Sequence, residues 1–412
     1  MGNKTLIVNY FGMRTGGIER YLAGIMQFAA DAGYRVVWFT SKGMPEQAEQ
    51  PGIADNPKIE KVYFGGGRRK HFTKNPDLRL FSNDDVVMLS FTQEDFVWAE
   101  QFRYKYKCNT FYHYFILMNF FGWLTYPEDE FKTKFLAKKR GKFSKSIAEK
   151  IDENNNIRAF AHKQLVTYKE RYDLKLKVSE DNILKGFSTN EPLSYEELEQ
   201  KAQSRKEGFV LVACARFQFP HKGFLIGLLE VFKELKEKYT STKLIIIGDG
   251  ERDYFNQFYD KLDDEIKASI ELKGTLFYDE MLSVYKQSHL CISLAGAVTA
   301  AASIALPALI ARHDTLMCET YGFYQNVEGT LKSEPGEDIM PFIEKVISVS
   351  NEEYIQLALA GRKEYESRVV IEPDYIFKQT NKSSMPTVSK SDMRKNKMWA
   401  VISILKKYFK FL

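Results

Sequence analysis

Apolar residues along this chain recur in two alternating patterns. Leu6-Ile7-Val8 is a short continuous apolar run ending in a glycine-bearing loop, Gly12 to Gly17. From Ile18 to Met26 the apolar positions return at helical spacing. Gly33 stands where a helix C-terminus favours glycine, and Arg35 to Thr40 reads as a second strand. Asp85 to Ser90 and Asn109 to Phe115 supply a third and a fourth. Strand, helix and strand in alternation predict a parallel, doubly wound sheet over residues 1–189.

Residues 190–208 turn polar and helix-prone, with no strand pattern, and read as a linker. The alternation then restarts. Phe209 to Ala213 is a strand, Phe224 to Tyr239 a helix, and Lys243 to Ile247 a strand ending in Gly248-Asp249-Gly250. Such apolar strands point to burial on both faces of a parallel sheet. Ser269–Leu272, Leu290–Ser293 and Ala308–Ala311 complete a second α/β domain over 209–355, followed by return helices over 356–380 and a polar stretch and tail over 381–412.

Composition narrows the function classes. In 412 residues, 44% are hydrophobic and 27% charged, which excludes a disordered or low-complexity chain. The net charge of +5 is too small for a global field, so attraction to an anionic partner must come from local clusters. Cys108, Cys214, Cys291 and Cys318 lie far apart without metal-ligand spacing and read as small apolar residues of a reducing compartment. The first residues lack the layout of a secretory signal, and Phe111 to Leu124 is too short to span a bilayer, so a cytoplasmic protein is expected.

Ligands of open α/β sheets bind beyond the carboxyl ends of the strands. In the first domain that loop carries Gly16 and Gly17. Without Cβ atoms they would let backbone amides approach a phosphate, although a tight turn explains them equally. In the second domain the loop Ala215 to Gly223 carries Arg216 and Lys222 ahead of a helix, a planar fork and a point charge suited to a diphosphate.

The run from Val210 through Arg216, Lys222-Gly223, a long helix and Gly248-Asp249-Gly250 resembles the donor-binding half of the retaining nucleotide-sugar glycosyltransferases of family 4, of capsule or surface-polysaccharide type. The likeness continues through Glu271 to Gly274, Tyr278-Asp279-Glu280 and Ala305-Leu306-Pro307, and Gly16-Gly17-Ile18-Glu19 resembles the family's N-terminal loop. It implies an α/β fold of two facing Rossmann-like domains with an interdomain cleft, the GT-B architecture. It also implies sugar transfer from a nucleotide diphosphate donor, with no metal and no further cofactor. Arg216 and Lys222 would be the catalytic clamp on the diphosphate, and Gly16 and Gly17 would approach it from the opposite wall. Gly248, Asp249, Gly274, Gly296, Val298 and Thr299 would line the donor. His113 falls near the family's histidine beside the donor sugar, or is a core residue of its aromatic-rich strand.

One departure stands out. Where the family carries the second glutamate of its E-x7-E motif this chain has Ala300, and no acidic residue occurs between Glu280 and Asp314. Asp314 and Glu319 are the nearest carboxylates available as substitutes. The alternative from another class is a non-catalytic relative that binds glycan or stabilises a partner glycosyltransferase.

Two stretches are strongly basic. Phe131 to Ser146 holds seven cations, Lys138, Lys139 and Arg140 among them, and no acid, and Arg68, Arg69 and Lys70 add three. The tail from Met393 to Leu412 carries six, among them Lys395, Lys397, Lys406, Lys407 and Lys410. It reads as an amphipathic helix with a stripe of Met398, Val401, Ile402 and Leu405 and with Trp399 at its edge. These clusters suit an anionic membrane rather than nucleic acid, or, for the tail, docking on the protein itself. The expected picture is an enzyme held peripherally on the inner face of the plasma membrane, acting on a glycan or lipid-linked glycan acceptor.

Overall fold

The first apolar run, Lys4–Asn9 (β1), forms the centre of a parallel sheet, its last five residues buried. The computed structural model describes residues 4–10, 17–41, 53, 56–64, 76–117, 134–160, 162–176, 179–187, 190–327, 335–370, 375–378 and 386–409. After β1 come Gly17–Asp31 (α1), Arg35–Ser41 (β2), Ile59–Phe64 (β3), Asp85–Ser90 (β4), Gln93–Lys105 (α2) and Thr110–Leu117 (β5). Lys134–Glu153 (α3), Ile157–Ala159 (β6), His162–Tyr172 (α4) and Gly186–Phe187 (β7) follow. Six strands pair in the order β3-β2-β1-β4-β5-β6, all parallel. The direction of winding reverses between β1 and β4, the position where such sheets bind ligands.

A second series then runs Tyr195–Ser204 (α5), Val210–Cys214 (β8), Phe224–Lys238 (α6), Lys243–Ile247 (β9), Arg252–Tyr259 (α7), Asp264–Lys267 (α8) and Ile270–Gly274 (β10). Tyr278–Gln287 (α9), Leu290–Ser293 (β11), Gly296–Ser303 (α10), Ala308–Ala311 (β12), Glu319–Phe323 (β13) and Glu337–Asp338 (β14) come next. Met340–Ser348 (α11), Asn351–Ser367 (α12) and Val369–Val370 (β15) end the series. Seven strands pair as β10-β9-β8-β11-β12-β13-β14, and the last two run antiparallel. The chain closes with Tyr375–Lys378 (α13) and Lys390–Phe409 (α14).

By contacts these elements fall into two units, Ser188–Val370 and a first unit built from Met1–Phe187 and Ile371–Leu412. The boundaries expected from sequence shift accordingly. Residues 190–208 are no linker. Lys201 and Arg205 are buried, and their donors close the ends of two helices. Lys201 reaches the carbonyls of Tyr285 and Ser288 at the end of α9. Arg205 reaches those of Val346 and Ile347 in the last turn of α11 and of Val349 and Ser350 just beyond it, its guanidinium 4.9 Å over the Tyr354 ring. Unpaired carbonyls at a helix C-terminus attract cations, so two residues that look solvated in sequence are structural. Residues 356–367 continue α12 inside the second unit, and the stretch from Ile371 onward belongs to the first.

The tail is docked. Asp392, Asn396, Trp399, Ala400 and Ser403 are buried, one face of α14 repeating at helical spacing. Asn396 donates to Glu94 O at 2.9 Å, and Lys150 pairs with Asp392 at 2.5 Å. Trp399 and Arg140, expected at a membrane, are instead inside, the guanidinium 5.6 Å over the indole ring. Lys138, Lys139, Lys395 and Lys397 are exposed, and only the backbone of Lys406 and Lys407 is described. Gly16, the Arg68 to Lys70 cluster and Lys410 lie outside the described residues. Among the described residues no helix is long and apolar enough to cross a membrane. No disulfide joins the four cysteines, of which Cys291 and Cys318 are buried.

Beneath α14, the Glu100 carboxylate is fully buried and ties three segments together. It takes His113 Nδ1 at 2.7 Å, Arg103 Nη1 at 3.2 Å, and the amides of Thr387 and Val388. Burial alone would raise its pKa, but Arg103 and His113 outweigh that and hold the carboxyl below its ordinary value. Removing one partner of a buried ion pair costs about 3–5 kcal/mol. Glu100→Ala should lower stability on that scale in urea unfolding. It should also release the C-terminal helix to limited proteolysis.

Candidate functional site

In the second unit the winding reverses between β8 and β11, so the loops leaving Cys214 and Ser293 flank one crevice at the carboxyl ends of the strands. Ser293 Oγ donates to Cys214 O at 2.5 Å and pins the two strand ends. Beyond β8 the ladder with β9 continues through the loop. Ala215 N donates to Ile247 O at 3.0 Å, Phe217 N to Asp249 O at 2.9 Å, and Glu251 N to Phe217 O at 2.8 Å. The two loops press so closely that a Cβ on Gly248 would stand 1.9 Å from Ala215 O, and the φ of Gly248 is +140°. Only glycine fits there. The Asp249 carboxylate accepts from Gly250 N at 2.9 Å and pairs with Arg252 at 3.3 Å. Gly248 and Asp249 thus shape the loop that presents Arg216 and Lys222. Gly274 joins them through its carbonyl, which accepts from Gly248 N at 2.7 Å.

Arg216 is exposed and Lys222 half-buried at the entry to α6. A second loop fixes that entry. A Cβ on Gly223 would lie 2.1 Å from Thr315 O, so residues 313–318 rest directly on the start of α6. Asp314, with φ of +58°, donates its amide to His221 O at 3.1 Å. Its carboxylate receives His221 Nδ1 at 2.9 Å and also His313 Nδ1. Three potential ligand atoms therefore lie within 4.8 Å of one another, the single group of this kind among the described residues. Both imidazole Nδ1 atoms are already engaged by the carboxylate.

Burial is the main cause that lowers the Lys222 amine to about 8, Arg216 adds to the fall, and Asp314 opposes it. Burial and the neighbouring Lys222 hold His221 below its ordinary value. The bonds from the two histidines keep the Asp314 carboxyl ionised against the opposing effect of burial. Asp314 is thus the carboxylate whose charge bears on Lys222. Glu319, the first residue of β13, is instead paired with Arg312 just after β12.

At the other strand end Ala295 caps α10 with φ of +52°, a strained conformation for a residue with a Cβ. The first amides of a helix have no partner inside it, so Gly296 and Val298 offer donors while the Val298 side chain is buried. Thr299 does not fit its expected role, because both its amide and its hydroxyl bond to Ala295 O. Ala300 is buried among apolar neighbours that include Val298 and Tyr285, so no side chain there faces a ligand. Beside the clamp loop a groove is lined by Phe219, Pro220, Arg252, Tyr254 and Leu316, with the Phe219 and Tyr254 rings 5.2 Å apart.

In the first unit Gly17 opens α1. His113 lies in the middle of β5 rather than at its end, and its side chain is fully buried. Asn9 Nδ2 donates to Ser90 Oγ at 3.1 Å, Ser90 Oγ lies 2.8 Å from His113 Nε2, and His113 Nδ1 meets Glu100. Its ring stacks on Phe96 at 4.0 Å, and burial lowers its pKa, so a neutral imidazole passes one hydrogen bond on to the next group. Of its two sequence readings, the core residue is the one this geometry fits.

No family model matches the chain, and no curated protein matches it in sequence. Among solved structures it is similar to HepE from Anabaena in complex with UDP, at 13% identity and a TM-score of 0.56 over 91% of this chain and 98% of that one. HepE with UDP and glucose gives 12% and 0.54 over 91% and 97%. Sucrose-phosphate synthase from Thermosynechococcus elongatus gives 14% and 0.53 over 98% and 100%. These likenesses establish the fold, the paired α/β units of GT-B glycosyltransferases.

A half-buried amine near its own pKa makes a specific pH dependence. Affinity for a nucleoside diphosphate should fall as pH rises through about 8. The loss should reach about tenfold per unit once the amine is neutral. Lys222→Arg should flatten the profile, because a guanidinium keeps its charge. Titration calorimetry across this range measures both.

Proposed function

We infer that this chain is a glycosyltransferase that moves a sugar from a nucleotide diphosphate donor, with retention, onto a growing lipid-linked glycan of surface-polysaccharide type. The observation that carries the reading is the Arg216 and Lys222 pair at the β8 end of the reversal point, with Asp314 set against the lysine. A glycosyl donor leaves as a nucleoside diphosphate and gains charge on its β-phosphate as the glycosidic bond breaks. Two fixed cations and the N-terminus of α6 stabilise that charge where it develops. The partial burial of Lys222 strengthens its pull on an anion, since fewer waters compete. Side-chain cations neutralise the diphosphate, so the reading calls for no metal ion.

The GT-B fold supports sugar transfer as the reaction class, and HepE, similar in fold, was crystallised with UDP and with glucose. Uridine diphosphate is therefore the first donor class to test. Retention and the lipid-linked acceptor rest on the sequence resemblance. With Ala300 buried, no carboxylate stands where the family holds its second glutamate. The loss of one charge-assisted hydrogen bond of about 1.5–3 kcal/mol predicts donor binding at least tenfold weaker than in a site that has it.

Calorimetric titration of the whole chain with UDP, GDP and their sugar conjugates tests the reading. One nucleotide should bind, and Arg216→Ala or Lys222→Ala should weaken it by about 10- to 150-fold, the equivalent of one charged hydrogen bond. Unchanged affinity in both variants would overturn the clamp. Absence of any nucleotide binding at millimolar concentration would favour a partner-binding role.

A further inference from the structure

The loop before α6 and the loop after β12 belong to the same unit, and their backbones already join them. Asp314 N donates to His221 O at 3.1 Å, and Thr315 O stands 2.1 Å from where a Cβ on Gly223 would lie. The segment around His221 is also closed on itself, Lys222 N donating to Gln218 O at 2.7 Å and Gly223 N to Pro220 O at 2.8 Å. Three side chains converge on top of this frame. His221 Nδ1 lies 2.9 Å from one oxygen of Asp314, His313 Nδ1 bonds to the other, and the two imidazole rings are 5.6 Å apart. A latch between the loops needs His221 alone. The second imidazole comes from the residue next to Asp314 and adds nothing to such a latch.

Two imidazole nitrogens and a carboxylate oxygen are the donors of a transition-metal site. They suit zinc and its neighbours rather than magnesium, which takes oxygen ligands. The three ligand atoms lie within 4.8 Å of one another. Ligands held about 2.0–2.2 Å from a zinc ion stand roughly 3.3 Å apart, so the widest pair closes by about 1.5 Å at most. Rotations of the side chains supply that movement while the loop backbones stay where they are. Both histidines are partly exposed and Asp314 is exposed, so an ion has a way in and a position left for water. The charge of Lys222 bears on His221 and opposes a cation, which favours an ion that exchanges over one held permanently.

We propose that His221, His313 and Asp314 form a site for an exchangeable zinc-class ion that staples the loop after β12 to the start of α6. The ion takes no part in stabilising the leaving group, a task the side-chain cations carry. The proposal does not rest on the transferase reading.

Titration calorimetry of the untagged full chain with zinc chloride, without nucleotide, should show one ion bound per chain at micromolar metal. Magnesium chloride should give no heat. Cobalt chloride should give the visible absorption of a nitrogen-ligated ion, and zinc should raise the temperature of thermal unfolding. His313→Ala and Asp314→Asn should each weaken zinc binding by about 100-fold or more, since even groups behind the ligands are worth 10- to 100-fold. Asparagine accepts the φ of +58° at position 314, so that variant keeps the loop and removes the charge. Both variants should unfold at the temperature of the metal-free parent. His162→Ala, which removes an exposed histidine of the first unit, should bind zinc as the parent does. Zinc binding that survives both site variants, an equal loss in His162→Ala, or a cobalt spectrum of the hydrated ion alone in the parent would overturn the proposal.

Discussion

The first unit depends on a single buried carboxylate. Glu100 has no access to water; its charge is balanced by Arg103 one turn along α2, and it takes hydrogen bonds from His113 on β5 and from two amides of a segment nearly 290 residues later. An ion of this kind contributes little net stability compared with an apolar replacement, and its role is specification. The two amides satisfy it only when residues 387–388 lie at that spot, so the return of the chain has one register. The position of α14 follows, and with it the burial of Arg140 and Trp399.

The second unit solves a different problem, that of holding two cations, Arg216 and Lys222, on one loop. Neighbouring like charges repel, and a loop carrying them would swing apart in water. Here the β8–β9 ladder extends through the loop, Gly248 lets the two backbones touch, and residues 313–318 press on Gly223. The loop is held in place by its own backbone contacts, so binding of the diphosphate proposed above would cost little ordering entropy. Asp314 moderates the repulsion at Lys222 while being held by two histidines.

The sheet strands that form continuous apolar runs were legible from sequence, because burial on both faces leaves a plain signal. The β1, β2, β4, β9, β11 and β12 segments lie within a residue or two of where the runs place them. The strands that escaped notice are short, lie at or beside sheet edges, or run antiparallel, such as β3, β6 and β13, where one face is polar. In the candidate site, Arg216 and Lys222 were legible from type and spacing. Asp314 was visible only as a carboxylate of unknown reach, since nothing local says that the loop after β12 returns to α6. The errors share one cause. Lys201, Arg205, Arg140 and Trp399 look like surface residues by composition, yet their partners are backbone carbonyls or each other, and such partners have no sequence signature. The α14 helix misleads for the same reason, since its docked stripe mixes Asp392, Asn396 and Ser403 with a single indole.

A chain is made from its N-terminus, and here the order of synthesis runs against the order of completion. The second unit is one unbroken segment, Ser188–Val370, and has all its strands once that segment leaves the ribosome. The first unit begins earlier but lacks the amides that satisfy Glu100 and the helix that covers Arg140 until residues 387–403 are translated. The nascent protein therefore carries a finished domain and an unfinished one at the same time. The interval in which the α2 and α3 surfaces stand open is the interval in which chaperones have most to do.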